Sequence, residues 1–267
     1  MRSPSRRLAP AVLGLLLVAA LAPLAARGAD DTVASAEQRA HTLANAERVE
    51  RGLVKLRWDQ RLGDLARDRA TYMAETDTFS HTQSGGTSVF DLMTDAGIKW
   101  YGGGEIIAWN IGTELDASAD YVLRQWMNSS GHKAIMVSKD FNYVGFGVAT
   151  SPETGRRYWA GVYMKGPDRT AGWAKTGSVS ISRLDARSSR VTVRWGGGDT
   201  KLQVLTSGHR YFQVQSRRNG NEWKTYPTTT STSRSWTLYR DSVYEFRVRS
   251  RDKAGNWSSW KTVTINP

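Results

Sequence analysis

The stretch Tyr143-Val144-Gly145-Phe146-Gly147-Val148-Ala149 alternates Tyr143, Gly145 and Gly147 with Val144, Phe146 and Val148. A period of two belongs to a strand, because successive side chains point to opposite faces of a sheet. The turn signal Ser151-Pro152-Glu153-Thr154-Gly155 follows, and then a second apolar run from Arg157 to Tyr163. The pair predicts an antiparallel hairpin.

Upstream the period changes. Leu62, Leu65, Ala66, Ala70 and Met73 recur at helical spacing behind Asp59, a good N-cap. Ala119, Val122, Leu123, Trp126 and Met127 do the same, with Asp116 or Ser118 as candidate caps and Gly131 as the expected stop. Thr87 to Ala96 predicts a shorter helix closed by Gly97. Helices combined with antiparallel strands imply a layered α+β unit.

Downstream of residue 178 the period is two throughout. Val191, Val193 and Trp195 alternate with polar neighbours, as do Phe212, Val214 and Ser216, and Tyr244, Phe246, Val248 and Ser250. Asn219-Gly220 between two such runs is a type I′ hairpin signal. About seven short strands in this span suggest an immunoglobulin-like sandwich.

Charge divides at the same place. Residues 178–267 carry 16 Lys and Arg against 6 Asp and Glu, a net of +10, while residues 29–177 carry 17 against 19, a net of −2. The 267-residue chain is 39% hydrophobic and 23% charged, which excludes a multi-pass membrane protein and a wholly disordered one. It has no cysteine, which excludes disulfides and thiolate chemistry. Residues 1–28 read as a signal peptide: Arg2, Arg6 and Arg7 precede an apolar run from Ala11 to Ala22, and Ala26 and Gly28 suit cleavage. A secreted, wall-associated protein with no transmembrane anchor in its mature chain is the expectation.

In order and spacing, several stretches resemble the CAP superfamily (cysteine-rich secretory, antigen 5 and pathogenesis-related 1 proteins) in its cysteine-free bacterial branch. They are Leu43-Ala44-Asn45-Ala46-Glu47-Arg48, Gly52-Leu53, Leu56-Arg57-Trp58-Asp59, Phe79-Ser80-His81-Thr82, Gly104-Glu105-Ile106, Trp126-Met127-Asn128-Ser129-Ser130-Gly131-His132 and Val144 to Ala149. The resemblance implies a three-layer α-β-α sandwich with one open cleft, here over residues 36–165. It also implies that His81, Glu105 and His132 surround that cleft, a set that binds zinc or another divalent metal in several members. This sequence departs from the family at Asn128 and Ser129, where a second glutamate is usual, and at Ile106, Lys133 and Ile135. Alternatively the two histidines hydrogen-bond to each other, to Glu105 or to backbone and hold the sandwich together. Glu114 is a spare acid with a solvated or capping role, and His41 and His209 are expected at the surface.

Residues 178–267, joined by a linker over 166–177, resemble a fibronectin type III domain, with Tyr244 as the tyrosine-corner residue and Trp195 as the core tryptophan. Alternation then turns Arg247, Arg249 and Arg251 outward together, beside Arg217. These arginines form either a site for an anionic wall polymer or glycan, or a solvated face that blocks edge pairing. Nucleic acid is not expected as a partner. Three functions follow: a secreted module whose cleft binds a metal or small apolar ligand, a metal-assisted hydrolase of the envelope or medium, and an adhesion protein with a vestigial cleft. With no cysteine and no Gly-x-Ser-x-Gly elbow, binding is preferred to catalysis.

Overall fold

The computed structural model describes residues 32–267, so the expected signal peptide lies outside the described residues. No helix among those residues is long and apolar enough to cross a membrane. The first half is built on a four-stranded sheet. Strands β1 (Arg57–Trp58), β2 (Gly102–Asn110), β3 (Tyr143–Thr150) and β4 (Arg157–Lys165) lie in the order β1-β3-β4-β2, with β2 at one edge. β3 and β4 form the antiparallel hairpin expected from their alternation.

Five helices cover the two faces: α1 (Val33–Glu50), α2 (Gln60–Thr76), α3 (Val89–Asp95), α4 (Leu115–Asn128) and α5 (Ser130–Met136). Ala36, Ala40 and Ala44 of α1 and Ala119, Val122 and Trp126 of α4 pack on Ile106, Val144, Phe146 and Val148. On the other face Leu62, Ala66 and Met73 of α2 and Val89 and Met93 of α3 pack on Ile107, Tyr158, Ala160 and Val162. The α-β-α layering is thus the product of the two periods meeting.

Gly145 and Gly147 have a steric task on the α2 side of β3. A Cβ at either would stand 2.1 Å from a backbone nitrogen of α2, at Gly63 and Arg67 respectively. Helix and strand therefore touch backbone to backbone. Asp59 caps α2 as expected, accepting from the Arg61 backbone N–H at 3.1 Å. The cap of α4 differs: Glu114 holds the N-cap position without a side-chain cap bond, and Ser118 lies inside the helix. Gly131 does not stop α4 either, because α5 starts at Ser130 and absorbs it.

The second half is a β-sandwich of seven strands. β5 (Trp173–Arg183), β6 (Ser188–Gly198) and β9 (Ser233–Tyr239) form one sheet. β7 (His209–Arg218), β8 (Lys224–Thr225), β10 (Tyr244–Asp252) and β11 (Lys261–Ile265) form the other, in the order β11-β10-β7-β8. Val191, Val193, Trp195, Phe212, Val214, Phe246 and Val248 fill the space between them. The Tyr244 hydroxyl accepts from the Tyr239 backbone N–H at 3.2 Å, a corner bond. Asn219 and Gly220 both have positive φ, 48° and 75°, as a type I′ turn requires.

The connection between the halves is packed. β5 begins at Trp173, inside the stretch read as a linker. Asn142 clamps Gly166, donating from Nδ2 to its carbonyl and accepting its N–H, both at 2.8 Å. Arg169 pairs with Asp59. From the loop between β6 and β7, Leu202 is buried in the core beneath α2, and Gln203 Oε1 accepts from the Val54 N–H at 2.8 Å. His41 and His209, expected at the surface, are half-buried. His41 hydrogen-bonds the Leu56 carbonyl at 3.0 Å, and His209 Nδ1 lies 2.9 Å from Ser250 Oγ.

Candidate functional site

β2 is an edge strand, so both helical layers reach the same sheet margin there. Alternation turns Glu105 toward α2, where Arg69 sits on the buried stripe Leu62-Ala66-Arg69-Ala70-Met73. Arg69 has no exposed surface, and its Nε donates to Glu105 Oε1 at 2.8 Å. Its Nη2 donates to the Ser80 carbonyl at 2.6 Å, which fixes the loop that carries His81. His81 Nδ1 lies 2.7 Å from Glu105 Oε2, with the rest of the ring exposed. Both carboxylate oxygens are therefore engaged, one by a guanidinium and one by an imidazole.

His132 enters from the first turn of α5 and is half-buried. It makes no hydrogen bond to any described residue. Burial pushes its pKa down, and the charge of nearby His81 pushes it the same way. A cleft of about 570 Å³ opens beside it, walled by Phe79, Trp109, Tyr121, Gln125 and Trp126. Phe79, Trp109 and Tyr121 keep 49%, 38% and 48% of their surface exposed, so the wall is aromatic and open.

Of the three residues expected to share an ion, the structure brings His81 and Glu105 into contact and sets His132 apart. Their ligand atoms are not a group within 4.8 Å of one another. The one such group among the described residues is Asp168, Asp199 and Asp252, at the joint between the halves. Its oxygens already accept backbone N–H groups of Thr170, Ser207, Gly208 and Gly255. The cleft residues as arranged do not fit a three-ligand divalent centre, since Arg69 already neutralises the carboxylate such a centre needs. No described serine or threonine hydrogen-bonds to His81 or His132, so no nucleophile is coupled to a base in the cleft.

Arg69 and the aromatic wall were missed in the sequence. A charged residue on an otherwise apolar helical stripe was the available signal for Arg69. The signal for Phe79 is its place in Phe79-Ser80-His81-Thr82, two residues before His81.

The outward arginines of β10 stand where alternation puts them, and tryptophans separate them. Arg247 stacks on Trp223 and Trp260, and Arg249 on Trp260 and Trp257, at 4.0 to 4.5 Å from guanidinium carbon to ring centre. Arg217 and Arg251 extend the row at 4.6 and 5.1 Å.

Residues 41–163 match the cysteine-rich secretory protein family, CAP. The chain is 32% identical over 123 residues to the uncharacterized protein YkwD of Bacillus subtilis (strain 168), covering 46% of each. It is 30% identical over 131 residues to the uncharacterized membrane protein YlbC of the same organism, covering 49% of this chain and 35% of YlbC. The chain thus spans less than half the length of either relative. A solved extracellular protein containing an SCP domain from Bacillus anthracis str. Ames aligns with a TM-score of 0.44 and 23% identity, over 49% of this chain and 41% of that one. Residues 41–163, which build the cleft, are a cysteine-free CAP domain.

Proposed function

We propose that this chain is an exported binding protein whose cleft takes a small, largely apolar ligand bearing a hydrogen-bond donor. The observation that carries the reading is the aromatic cleft ending at an unpartnered His132 whose pKa burial lowers. A neutral imidazole offers an acceptor to such a donor. The volume lies within the range of small-molecule pockets, about 300–1,000 Å³. Export rests on the signal-peptide reading of residues 1–28. Attachment of the sandwich to an anionic surface rests on its net charge and its row of arginines.

The test is titration with an anilinonaphthalene dye, read by fluorescence, in the presence and absence of a chelator. The expected result is saturable binding at one site, weakened about tenfold by Trp109→Ala and insensitive to chelation. Lack of saturation would overturn the ligand reading, and loss on chelation would restore the metal.

A further inference from the structure

On the outer face of the sandwich, β10 presents Glu245, Arg247, Arg249 and Arg251 in alternate positions, directly opposite Arg217, Gln215, Gln213 and Tyr211 of β7. At the first rung a carboxylate meets a guanidinium, Arg217 Nε to Glu245 Oε2 at 2.5 Å. At the next two rungs the acceptor is a neutral amide: Arg247 Nε donates to Gln215 Oε1 at 2.7 Å and Arg249 Nε to Gln213 Oε1 at 2.8 Å. Arg251 Nε donates to the Gly255 carbonyl at 3.2 Å. No described carboxylate pairs with Arg247, Arg249 or Arg251. Three like charges are held in a row, oriented by hydrogen bonds and rings but not neutralised. Burial and the neighbouring arginines push the pKa of Arg247 and Arg249 down, as expected for charges with no counter-ion.

Arg247 and Arg249 are each fixed between two rings and at Nε, which leaves the Nη edge for bidentate contact with a phosphate-like oxyanion. Arg251 rests on Trp257 alone, and its Nη1 donates to the Tyr211 hydroxyl at 3.0 Å, which leaves Nη2 for a single contact at the end of the row. Spacing then selects the polymer. Alternate residues of a strand are two residues apart, roughly 7 Å, which is a run of about six backbone bonds. A phosphodiester polymer with three carbons between its phosphates also repeats every six or so bonds, P–O–C–C–C–O–P, and so matches the row when extended. Single-stranded nucleic acid has the same repeat but gains affinity by stacking bases on free aromatic faces. Here Trp223, Trp257 and Trp260 each already carry two arginines. We infer that Arg247 and Arg249, held between tryptophans, and Arg251, stacked on Trp257, form a binding row for an extended polyol phosphodiester with a three-carbon repeat.

The inference rests on the proposed attachment to an anionic surface and narrows it to one polymer class. The test uses residues 29–267 and four polyanions of equal charge number: poly(glycerol phosphate), poly(ribitol phosphate), oligothymidylate and polyglutamate. Binding is followed by tryptophan fluorescence across salt. The expected result is tightest binding of poly(glycerol phosphate), falling roughly 20-fold between 50 and 200 mM salt for three phosphates neutralised. Arg249→Gln should reduce that fall to roughly sevenfold. If this variant does not fold, the preference for the three-carbon over the five-carbon repeat on the wild-type chain still decides. Equal binding of all four polymers, or tighter binding of oligothymidylate, would overturn the polymer class and leave general anionic attachment standing. No binding of any polymer at low salt would overturn both.

Discussion

The guanidinium of Arg69 is wholly buried and donates its Nε to Glu105 at 2.8 Å, so the acid of the cleft is neutralised from within the fold. Removing one partner of a buried pair leaves the other charged and unsolvated. Arg69→Met should therefore lower the unfolding free energy by about 3–5 kcal/mol. Glu105→Gln should leave the Arg69 charge uncompensated and cost a similar amount. The double variant Arg69→Met/Glu105→Gln should recover part of both losses. Urea unfolding of the four proteins gives the coupling, and strict additivity would show that the two side chains act independently.

Histidine burial gives a pH dependence with a definite sign. The pKa of His41 is lowered chiefly by burial and further by Lys55 and Arg57, while its bond to the Leu56 carbonyl opposes the shift. That of His132 is lowered by burial and then by His81. In the unfolded chain both titrate near the ordinary value, about 6.5. Below it the unfolded state binds more protons than the native state, so this stability is present above about 6.5 and is lost as the pH falls. The urea midpoint should drop between about pH 7.5 and 5.5. His41→Gln should flatten that slope, and an unchanged slope would remove His41 from the account.

Backbone contact between α2 and β3 leaves no space for a methyl group. Gly147→Ala places a Cβ 2.1 Å from the Arg67 nitrogen, and only movement of the whole helix relieves it. A loss of about 3 kcal/mol, at the upper end for overpacked cores, is expected in the denaturant midpoint. Gly131→Ala, with no atom within 4 Å of the new Cβ, is the control and should be neutral or stabilising.

Leu202 belongs by sequence to the second half and by packing to the first. It is 2% exposed among Met73, Tyr143 and Met164 and their neighbours. Leu202→Ala should cost about 2–5 kcal/mol and lower the melting of the CAP domain as well as the sandwich. Hydrogen exchange resolves the two. Protection lost only in β5 to β11 would show that the contact does not support the CAP core.

Much of this was legible because it is local. Period two marked β3, β4 and the strands of the sandwich, Asn219-Gly220 marked its turn, and Asp59 marked the start of α2. Less local features were harder to read. Gly131 looks like a helix stop, yet the chain re-enters a helix at Ser130, so His132 lies on α5 and not in a loop. The partnership of Arg69 with Glu105 spans 36 residues and depends on the register of a helix on a sheet. Leu202 and Gln203 lie in a stretch without a period, and only the assembled fold gives them a partner. The arginine row was visible from alternation, but its tryptophans come from two loops and no spacing rule connects them.

The inserted Leu202 and Gln203 have a directional consequence. A protein held through a flexible linker lets its far end sweep a volume set by linker length. Here the joint is a packed core contact through Leu202, backed by hydrogen bonds from the Val54 N–H to Gln203 Oε1 and from Asn142 Nδ2 to the Val204 carbonyl, which hold the sandwich against the CAP domain. Any surface that grips the arginine row therefore also sets the compass bearing of the cleft mouth, molecule after molecule, so a layer of these proteins would face its ligand in a single orientation.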